Sequence, residues 1–375
     1  MKKAVYLTIG VYPGGKTRAA DEVRAQQNLA ALRALGYDIT VITPRDEHGR
    51  NGIDLPTVWL DPIPSLVIAE YLRHYDYRKK VQAEVARHLD GPDTLLFCEH
   101  FYALASCPPH PRVVYSCLDL MVQLIRLRGQ LRARPVTFKT KLYWQYLNWV
   151  EWRVVRRAQR VLCVSASEAK LIANKTRLQT GYVPIVSPDN VEPLPAAVFS
   201  PNSRFWFYGS SGATANKIML AHLRDKLLPA IKAILPAAEF HQVGSYDTHA
   251  ADAIIWMKNN FNVHGFAADP AKLFQRGDFC LIPYEYDTGF RTKLPELCGY
   301  GMIAAGYPAT FACCPEMRDG YNCVIAESPQ SLADKLARLA ADAPARERLA
   351  IGAIETRRKN FSFDVLLEKY RQLLG

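Results

Sequence analysis

The sequence predicts an α/β protein built from two doubly wound parallel sheets, and three observations support that prediction. Short apolar segments of strand length alternate with helix-length segments between residues 4 and 184, and the alternation restarts near residue 205. Alternation at this spacing is typical of parallel sheets that are covered by helices on both faces. Residues 185–203 are rich in proline, which is typical of a linker. The length of 375 residues also fits two domains.

The elements of the first half follow from apolar periodicity and from stop signals. Residues 21–35 carry apolar side chains at helical spacing and end before Gly36, a common helix stop. A second helix is expected over residues 68–89. Ser165 followed by Glu168 is the pattern of a helix N-cap after a strand. The expected strands are 4–9, 38–43, 94–98, 112–117 and 161–164.

The second half repeats the same organisation. A glycine and serine turn follows its first expected strand, and a helix then runs to about residue 235. Residues 331–357 are expected to be helical, and a last helix is expected over 361–374. The expected strands are 205–208, 239–243, 261–264, 279–283 and 302–305. In such sheets ligands bind beyond the carboxyl ends of the strands, so the cleft between the two domains is the expected active site.

Composition excludes several classes of protein. Hydrophobic residues make up 49% of the chain and charged residues 22%, which excludes a disordered or fibrous protein. No stretch approaches about 18 consecutive apolar residues, so we expect no membrane-spanning helix. The apolar start of the chain is interpreted as a buried strand, because no small-residue cleavage site follows it. Nine scattered cysteines without a C-x-x-C pair are typical of free thiols in the cytoplasm.

The turn after the first expected strand carries a phosphate-binding pattern. Residues 10–17 match G-x-x-x-x-G-K-T, in which backbone amides and a lysine cradle a nucleotide triphosphate. Pro13 counts against that interpretation because it removes one amide donor. A nucleotide triphosphatase is therefore an alternative. The other interpretation is a glycine-rich turn that faces an anion in the cleft, with the residues Gly14, Gly15, Lys16 and Arg18.

The segment that follows the strand at 279–283 has a pattern suited to a nucleoside diphosphate. Gly289 provides a turn that frees backbone amides, and Arg291 and Lys293 add two cations beside it. Glu296 lies one helical turn after Lys293, where its carboxylate is placed to accept the hydroxyls of a ribose. The alternative is a surface ion pair between Lys293 and Glu296, which contributes little.

At these residues the chain resembles GT-B glycosyltransferases of the family 4 type. The strand, the proline, the glycine-rich turn, the basic residue and the helical glutamate follow the order of that family's donor-binding segment. The resemblance extends to 207–211, to 241–244 and to 263–266, and it implies two Rossmann-like domains at 1–184 and 204–357, with residues 358–375 crossing back to the first domain. It implies donor-binding roles for Gly209, Ser210, Gly244, Tyr284, Thr288, Gly289, Arg291, Lys293 and Glu296.

The chain departs from the family 4 pattern at one position. That family usually has two glutamates eight positions apart, and here Thr288 stands where the first is expected. The chain is also similar to the xanthan-type glucuronosyltransferases of family 70, which invert stereochemistry. The similarity is in residues 95–99, 113–119, 282–284 and 292–294, and it implies that Asp119 is the catalytic base.

Two further residues near the first sheet are candidates for catalysis. Family 4 enzymes often place a histidine near the sugar at the position of His100, and Glu99 precedes it. The alternative roles are a helix N-cap for Asp119 and an ordinary loop histidine for His100. An inverting transferase needs a base for the acceptor hydroxyl and cations for the leaving diphosphate. Since the chain has no D-x-D motif, we expect an enzyme that needs neither a metal ion nor a cofactor. We also expect a UDP-linked sugar as its donor.

The net charge of +11 is concentrated in one segment. Residues 126–160 contain ten lysines and arginines, interleaved with aromatic residues, and a single acid, Glu151. Basic residues mixed with interfacial aromatics suit an anionic membrane surface. We therefore expect a cytoplasmic enzyme that associates peripherally with the inner face of the membrane and extends a lipid-linked or cell-surface glycan. The alternatives are a nucleic-acid-binding module that uses stacking, and a solvated helix whose aromatics pack on its own domain.

Overall fold

A computed structural model of the chain describes residues 2–13, 20–45, 52–131, 136–188, 190–196, 203–212, 214–245 and 251–375. The chain divides into two compact units. Unit 1 comprises Met1–Ile185, Thr288–Phe290 and Leu366–Gly375, and unit 2 comprises Val186–Asp287 and Arg291–Val365.

Unit 1 contains a seven-stranded sheet in which all neighbouring strands are parallel. Its strands lie in the order β3-β2-β1-β4-β5-β6-β7. The strands β4 and β5 are buried along their whole length, which explains their continuous apolar sequence. The elements are β1 (Lys2–Thr8), α1 (Ala20–Ala34), β2 (Tyr37–Pro44), β3 (Thr57–Leu60), α2 (Ile68–Arg73), α3 (Tyr75–Arg87), β4 (Leu95–Glu99), α4 (His100–Ser106), β5 (Val113–Cys117), α5 (Met121–Leu131), α6 (Phe138–Val155), β6 (Arg160–Cys163), α7 (Ala166–Thr176) and β7 (Gln179–Tyr182).

Unit 2 contains a second parallel sheet, of six strands in the order β10-β9-β8-β11-β12-β13. Its elements are β8 (Arg204–Tyr208), α8 (Thr214–His222), α9 (Leu228–Ile234), β9 (Glu239–Val243), α10 (Ala251–Asn260), β10 (Asn262–Gly265), β11 (Phe279–Ile282), α11 (Lys293–Tyr300), β12 (Ile303–Gly306), α12 (Pro308–Phe311), β13 (Cys323–Ile325), α13 (Pro329–Ala341) and α14 (Ala343–Asn360), followed by α15 (Phe363–Leu374). A π-helical turn, Leu223–Leu227, joins α8 to α9. The predicted fold class, two doubly wound parallel α/β sheets, is confirmed.

One predicted helix is wrong as a single element. The helix expected over residues 68–89 is divided into α2 and α3 at His74, which leaves the helical conformation with ψ 66°. Residues 331–357 are helical as predicted, in two helices that meet at Asp342, whose side chain accepts a hydrogen bond from the Ala345 amide at 2.9 Å. Asp342 thereby caps α14, in which Pro344 occupies the first turn.

The last helix belongs mainly to unit 1. Its residues from Leu366 onward lie in that unit, where Leu373 packs against β7. A Cβ atom at Gly181 in β7 would lie 2.2 Å from the Leu373 side chain, so glycine is required there for the close approach. The Tyr370 hydroxyl donates a hydrogen bond to the Asn28 side chain of α1. These contacts attach the C-terminal helix to the first sheet.

Candidate functional site

The carboxyl edge of the sheet in unit 2 is lined by glycine turns at the point where the strand order reverses. This point lies between β8 and β11, which is where ligands bind in doubly wound sheets. Gly209 and Gly244 end the neighbouring strands β8 and β9, each with φ +127°. A Cβ atom at Gly244 would lie 2.4 Å from the Gly209 carbonyl oxygen. Both positions therefore require glycine, as the sequence predicted for a donor-binding turn.

Lys293, the first residue of α11, lies directly against the Gly209 turn. A Cβ atom at Gly209 would lie 2.4 Å from the Lys293 Nζ atom. The same Nζ atom lies 5.4 Å from the centre of the Phe207 ring. Burial lowers the pKa of Lys293 to about 8. An ammonium group held in a poorly solvated position beside a glycine turn is suited to binding an anion.

Glu296 is held by two tyrosine hydroxyl groups. The Tyr208 hydroxyl donates to Oε2 at 2.8 Å, and the Tyr300 hydroxyl donates to Oε1 at 3.4 Å. The carboxylate therefore has a defined orientation one helical turn beyond Lys293, as the sequence spacing predicted. Sequence reasoning missed Tyr208 because only the folded chain brings the end of β8 next to α11. Tyr300, which was also missed, lies on α11 itself four positions after Glu296, a spacing that could have indicated the contact.

Tyr284, Ser210 and Arg291 shape the loops around this turn. The Tyr284 hydroxyl donates to Asn216 Oδ1 at 2.5 Å, and the Asn216 amide donates to the Ser210 carbonyl at 2.5 Å. Arg291 is only 8% exposed. Its guanidinium lies 4.0 Å from the centre of the Tyr284 ring and donates to the Tyr286 carbonyl at 2.8 Å. Arg291 therefore braces the loop, and its contact with a diphosphate stays a prediction.

Asp119 lies in unit 1, in the turn between β5 and α5, and two buried glutamates hold that turn. The amide of Leu120 donates to Glu168 Oε1 at 3.2 Å. The amides of Met121 and Val122 donate to the two carboxylate oxygens of Glu151, at 2.6 and 3.2 Å. These amides at the start of α5 thus bond to carboxylates from α6 and α7. Sequence reasoning missed both glutamates as ligands of this turn.

The segment 288–290, which belongs to unit 1, lies beside Asp119. The Gly289 amide donates to Glu168 Oε1 at 3.3 Å, on the same carboxylate oxygen that holds Leu120. A Cβ atom at Gly289 would lie 2.0 Å from Asp119 Oδ1. The sequence had assigned Asp119 to catalysis and Thr288 and Gly289 to donor binding. The structure places Asp119 beside Gly289 and the adjacent Thr288.

Glu99 is part of a buried polar network rather than an open surface. It is 1% exposed and accepts hydrogen bonds from the Tyr6 hydroxyl at 2.7 Å, the Ser116 hydroxyl at 3.0 Å and the Asn28 amide. Burial raises the pKa of Glu99 to about 7. These contacts give Glu99 a structural role at the end of β4, and its predicted catalytic role stays a prediction.

His100 begins α4 in a strained backbone conformation. Its φ is +73°, which is uncommon for a residue with a side chain and is concentrated at functional sites. Burial lowers the pKa of His100 to about 4, so the imidazole is neutral near pH 7. Its Nδ1 atom is buried and has no hydrogen-bond partner among the described residues. His100 follows β4, which adjoins β1 where the order of the first sheet reverses.

The remaining predicted site lies outside the described residues. Gly14, Gly15, Lys16 and Arg18 all fall within residues 14–19, between the first two described ranges. Among all the described residues of the chain, no group of three or more His, Cys, Asp or Glu side chains is arranged to hold a metal ion.

Comparison with known families identifies the class of this protein. Residues 22–186 match the model for Glycosyltransferase Family 4, and residues 204–342 match the model for Glycosyl transferases group 1. The chain is therefore a glycosyltransferase with the GT-B fold. More particularly, the Glycosyltransferase Family 4 match lies in the first half of the chain, and it agrees with the resemblance to the family 4 type at the donor-binding segment. No curated protein matches the chain.

Solved structures with the same fold cover nearly the whole chain at low sequence identity. Sucrose-phosphate synthase from Thermosynechococcus elongatus is 14% identical with a TM-score of 0.70, covering 99% of this chain and 98% of its own. Anabaena HepE in complex with UDP is 15% identical with a TM-score of 0.67, covering 100% and 99%. The lipopolysaccharide outer core galactosyltransferase WaaB is 10% identical with a TM-score of 0.64, covering 99% of each chain.

Proposed function

We propose that this glycosyltransferase transfers a sugar from a UDP-sugar to a lipid-linked or cell-surface glycan without a metal ion. The observation that carries the proposal is the arrangement of Lys293, Gly209 and Glu296 at the carboxyl edge of the second sheet. A cation beside a glycine turn suits a diphosphate, and an oriented carboxylate suits a ribose. The solved structures of HepE in complex with UDP and with UDP-glucose support the choice of nucleotide.

The proposed chemistry assigns one role to each group. Asp119 accepts the proton of the acceptor hydroxyl as its oxygen forms a bond to the anomeric carbon of the donor sugar. The bond between that carbon and the phosphate oxygen breaks, and UDP leaves with the electron pair. Lys293 stabilises the charge that develops on the diphosphate. A base acting on the attacking hydroxyl favours inversion at the anomeric carbon.

Two features of the chain support transfer without a metal ion. The chain has no D-x-D motif, and its protonated Lys293 supplies the positive charge that a divalent cation supplies in other transferases. Transfer should therefore continue at an unchanged rate in excess EDTA. A loss that added Mg²⁺ or Mn²⁺ restores would contradict this part of the proposal.

Nucleotide binding provides the direct test of the donor site. In a thermal-shift comparison of UDP, GDP, ADP and CMP, we expect UDP to raise the melting temperature most. A ligand at about 100 times its Kd stabilises the folded state by about 2.7 kcal/mol. Lys293→Met should abolish the shift, whereas Lys258→Met, at an exposed position on α10, should retain it. Equal shifts for all four nucleotides, or a full UDP shift in Lys293→Met, would contradict the assignment.

The pKa of Lys293 predicts how UDP binding depends on pH. With a pKa of about 8 in the free protein, Lys293 is protonated below pH 8 and binds the diphosphate as a cation. Above pH 8 the free protein loses that proton, so UDP affinity should fall by up to about tenfold per pH unit. Titration calorimetry from about pH 7 to about pH 9.5, which spans this pKa, measures the decline. Lys293→Arg, whose guanidinium stays protonated over this whole range, should bind UDP without showing the decline.

A further inference from the structure

The first half of α6 extends away from the body of unit 1. No residue between 138 and 146 is buried, whereas Leu147, Val150 and Val154 in the second half are buried in the core. Helix α5 runs antiparallel beside it, because Met121 contacts Glu151 while Gly129 lies against the Trp144 ring. The two helices form a hairpin whose described tip is residues 136–146.

The exposed side chains of this hairpin are apolar at the tip and aromatic closer to the body. Phe138 is 73% exposed, and Val136 and Leu142 are exposed beside it. Trp149 is 56% exposed, and the Arg153 guanidinium lies 5.3 Å from the centre of its ring. Six large hydrophobic side chains are exposed between residues 136 and 149, and such a concentration of exposed apolar side chains indicates an interaction surface.

The charge of residues 126–160 divides into two groups. Arg156, Arg157 and Arg160 are used inside unit 1. Arg157 donates to the Ala105 carbonyl at 2.8 Å, Arg156 to the Lys175 carbonyl at 3.1 Å, and Arg160 to the Gln179 side chain at 2.9 Å. Among the described side chains of α5 and α6, the exposed basic residues are Arg126, Lys139, Lys141 and Arg153. Three arginines of the basic segment are therefore used within unit 1, whereas Lys139 and Lys141 follow the apolar residues of the tip in sequence.

We propose that the tip of the α5–α6 hairpin inserts into the interface of a membrane that contains anionic lipids. Apolar side chains at the end, aromatic residues behind them and lysines around them match the successive layers of a lipid leaflet. The lysines attract anionic headgroups while their stems follow the apolar chains. Lipid is favoured over RNA because Val136 and Leu142 have no ring on which a base stacks.

Helix α6 extends from the proposed membrane-inserting tip to Glu151, which holds the turn that contains Asp119. Glu151, which holds the turn of Asp119, follows Phe138 by a length of α6 that corresponds to about 20 Å at about 1.5 Å per residue. The next step rests on the proposed function. The separation implies an acceptor whose reacting hydroxyl stands well above the lipid headgroups. The acceptor class is then a lipid that already carries several sugars, rather than a bare lipid phosphate.

Insertion depth can be measured with single labels, because all nine native cysteines are buried. Phe138→Cys, Trp149→Cys and, as the control, Ile351→Cys on the exposed face of α14 are labelled with a polarity-sensitive fluorophore. Vesicles of phosphatidylcholine with phosphatidylglycerol should increase the emission severalfold at position 138, less at 149 and not at 351. Equal responses at all three positions, or none at 138, would overturn insertion by the tip.

A binding measurement separates this proposal from the proposed function. Phe138→Glu combined with Leu142→Glu should reduce flotation with anionic vesicles at least tenfold, and Ile255→Glu at an exposed site on α10 should not. Both variants should keep the UDP thermal shift. If the wild-type protein binds RNA and not vesicles, or if the double variant still floats, the hairpin proposal fails while UDP binding stands. If the wild-type protein binds vesicles but does not bind UDP, only the proposed function fails.

Discussion

Asp119→Asn should reduce sugar transfer about 10³-fold while leaving UDP binding unchanged. The substitution keeps the size of the side chain and removes its ability to accept the proton of the acceptor hydroxyl. Loss of a general base costs about 10² to 10⁴ in rate. Release of UDP in the presence of acceptor measures turnover, and the thermal shift with UDP measures donor binding. The expected result is a lower kcat with little change in donor Kd.

A matched carboxylate variant separates the base from a general loss of charge. Asp54→Asn removes an equally negative side chain from an exposed position in unit 1, and its turnover should be normal. If Asp119→Asn also retained normal turnover, Asp119 would not be the base. A variant of Asp119 that lost its UDP thermal shift as well would instead indicate a structural role.

The fold was predictable because its central strands carry their own signal. Strands such as β4 and β5 are buried on both faces and are therefore continuous apolar runs, which are visible in the sequence. The edge strands β3, β7 and β13 were missed. β7 has the sequence QTGY, without a buried residue, and it pairs with only one neighbour. Such strands depend on tertiary context rather than on local preference.

The candidate site was predictable where its residues are close in sequence. Lys293 and Glu296 share a helical turn, so their spacing alone placed them on one face of α11. The tyrosine that orients Glu296 is Tyr208, 88 positions away, and no local pattern connects the two. For the same reason the glutamates that hold the Asp119 turn were missed, since they come from α6 and α7.

Composition and structure give different information about the basic segment, residues 126–160. Composition located the charge and the aromatic residues, but it did not separate the arginines that bond to backbone carbonyls from the lysines that face solvent. The arginines that bond to backbone carbonyls, Arg156 and Arg157, come directly after α6 ends at Val155, whereas Lys139 and Lys141 lie in its exposed first half. The alternative in which the aromatics pack on their own domain does not hold for Phe138 and Trp149, which are exposed.

Gly289→Ala should reduce transfer about 10²-fold by displacing the Asp119 carboxylate. The new Cβ atom would lie 2.0 Å from Asp119 Oδ1, so one of the two groups must move. A misplacement of about 1 Å in a catalytic group costs about 10² in rate. The backbone at Gly289 has φ +61°, so alanine also adds about 1–2 kcal/mol of conformational strain.

Gly36→Ala is the matched control for that strain. Gly36 also lies in unit 1 with a left-handed φ of +80°, and a Cβ atom at this position would have no atom of the described residues within 4 Å. Both variants should therefore lose similar stability in thermal melts, while only Gly289→Ala loses turnover. Since UDP binding does not require Asp119, the thermal shift with UDP should survive in both. Equal turnover of the two variants at a temperature where both are folded would show that Gly289 does not position the base.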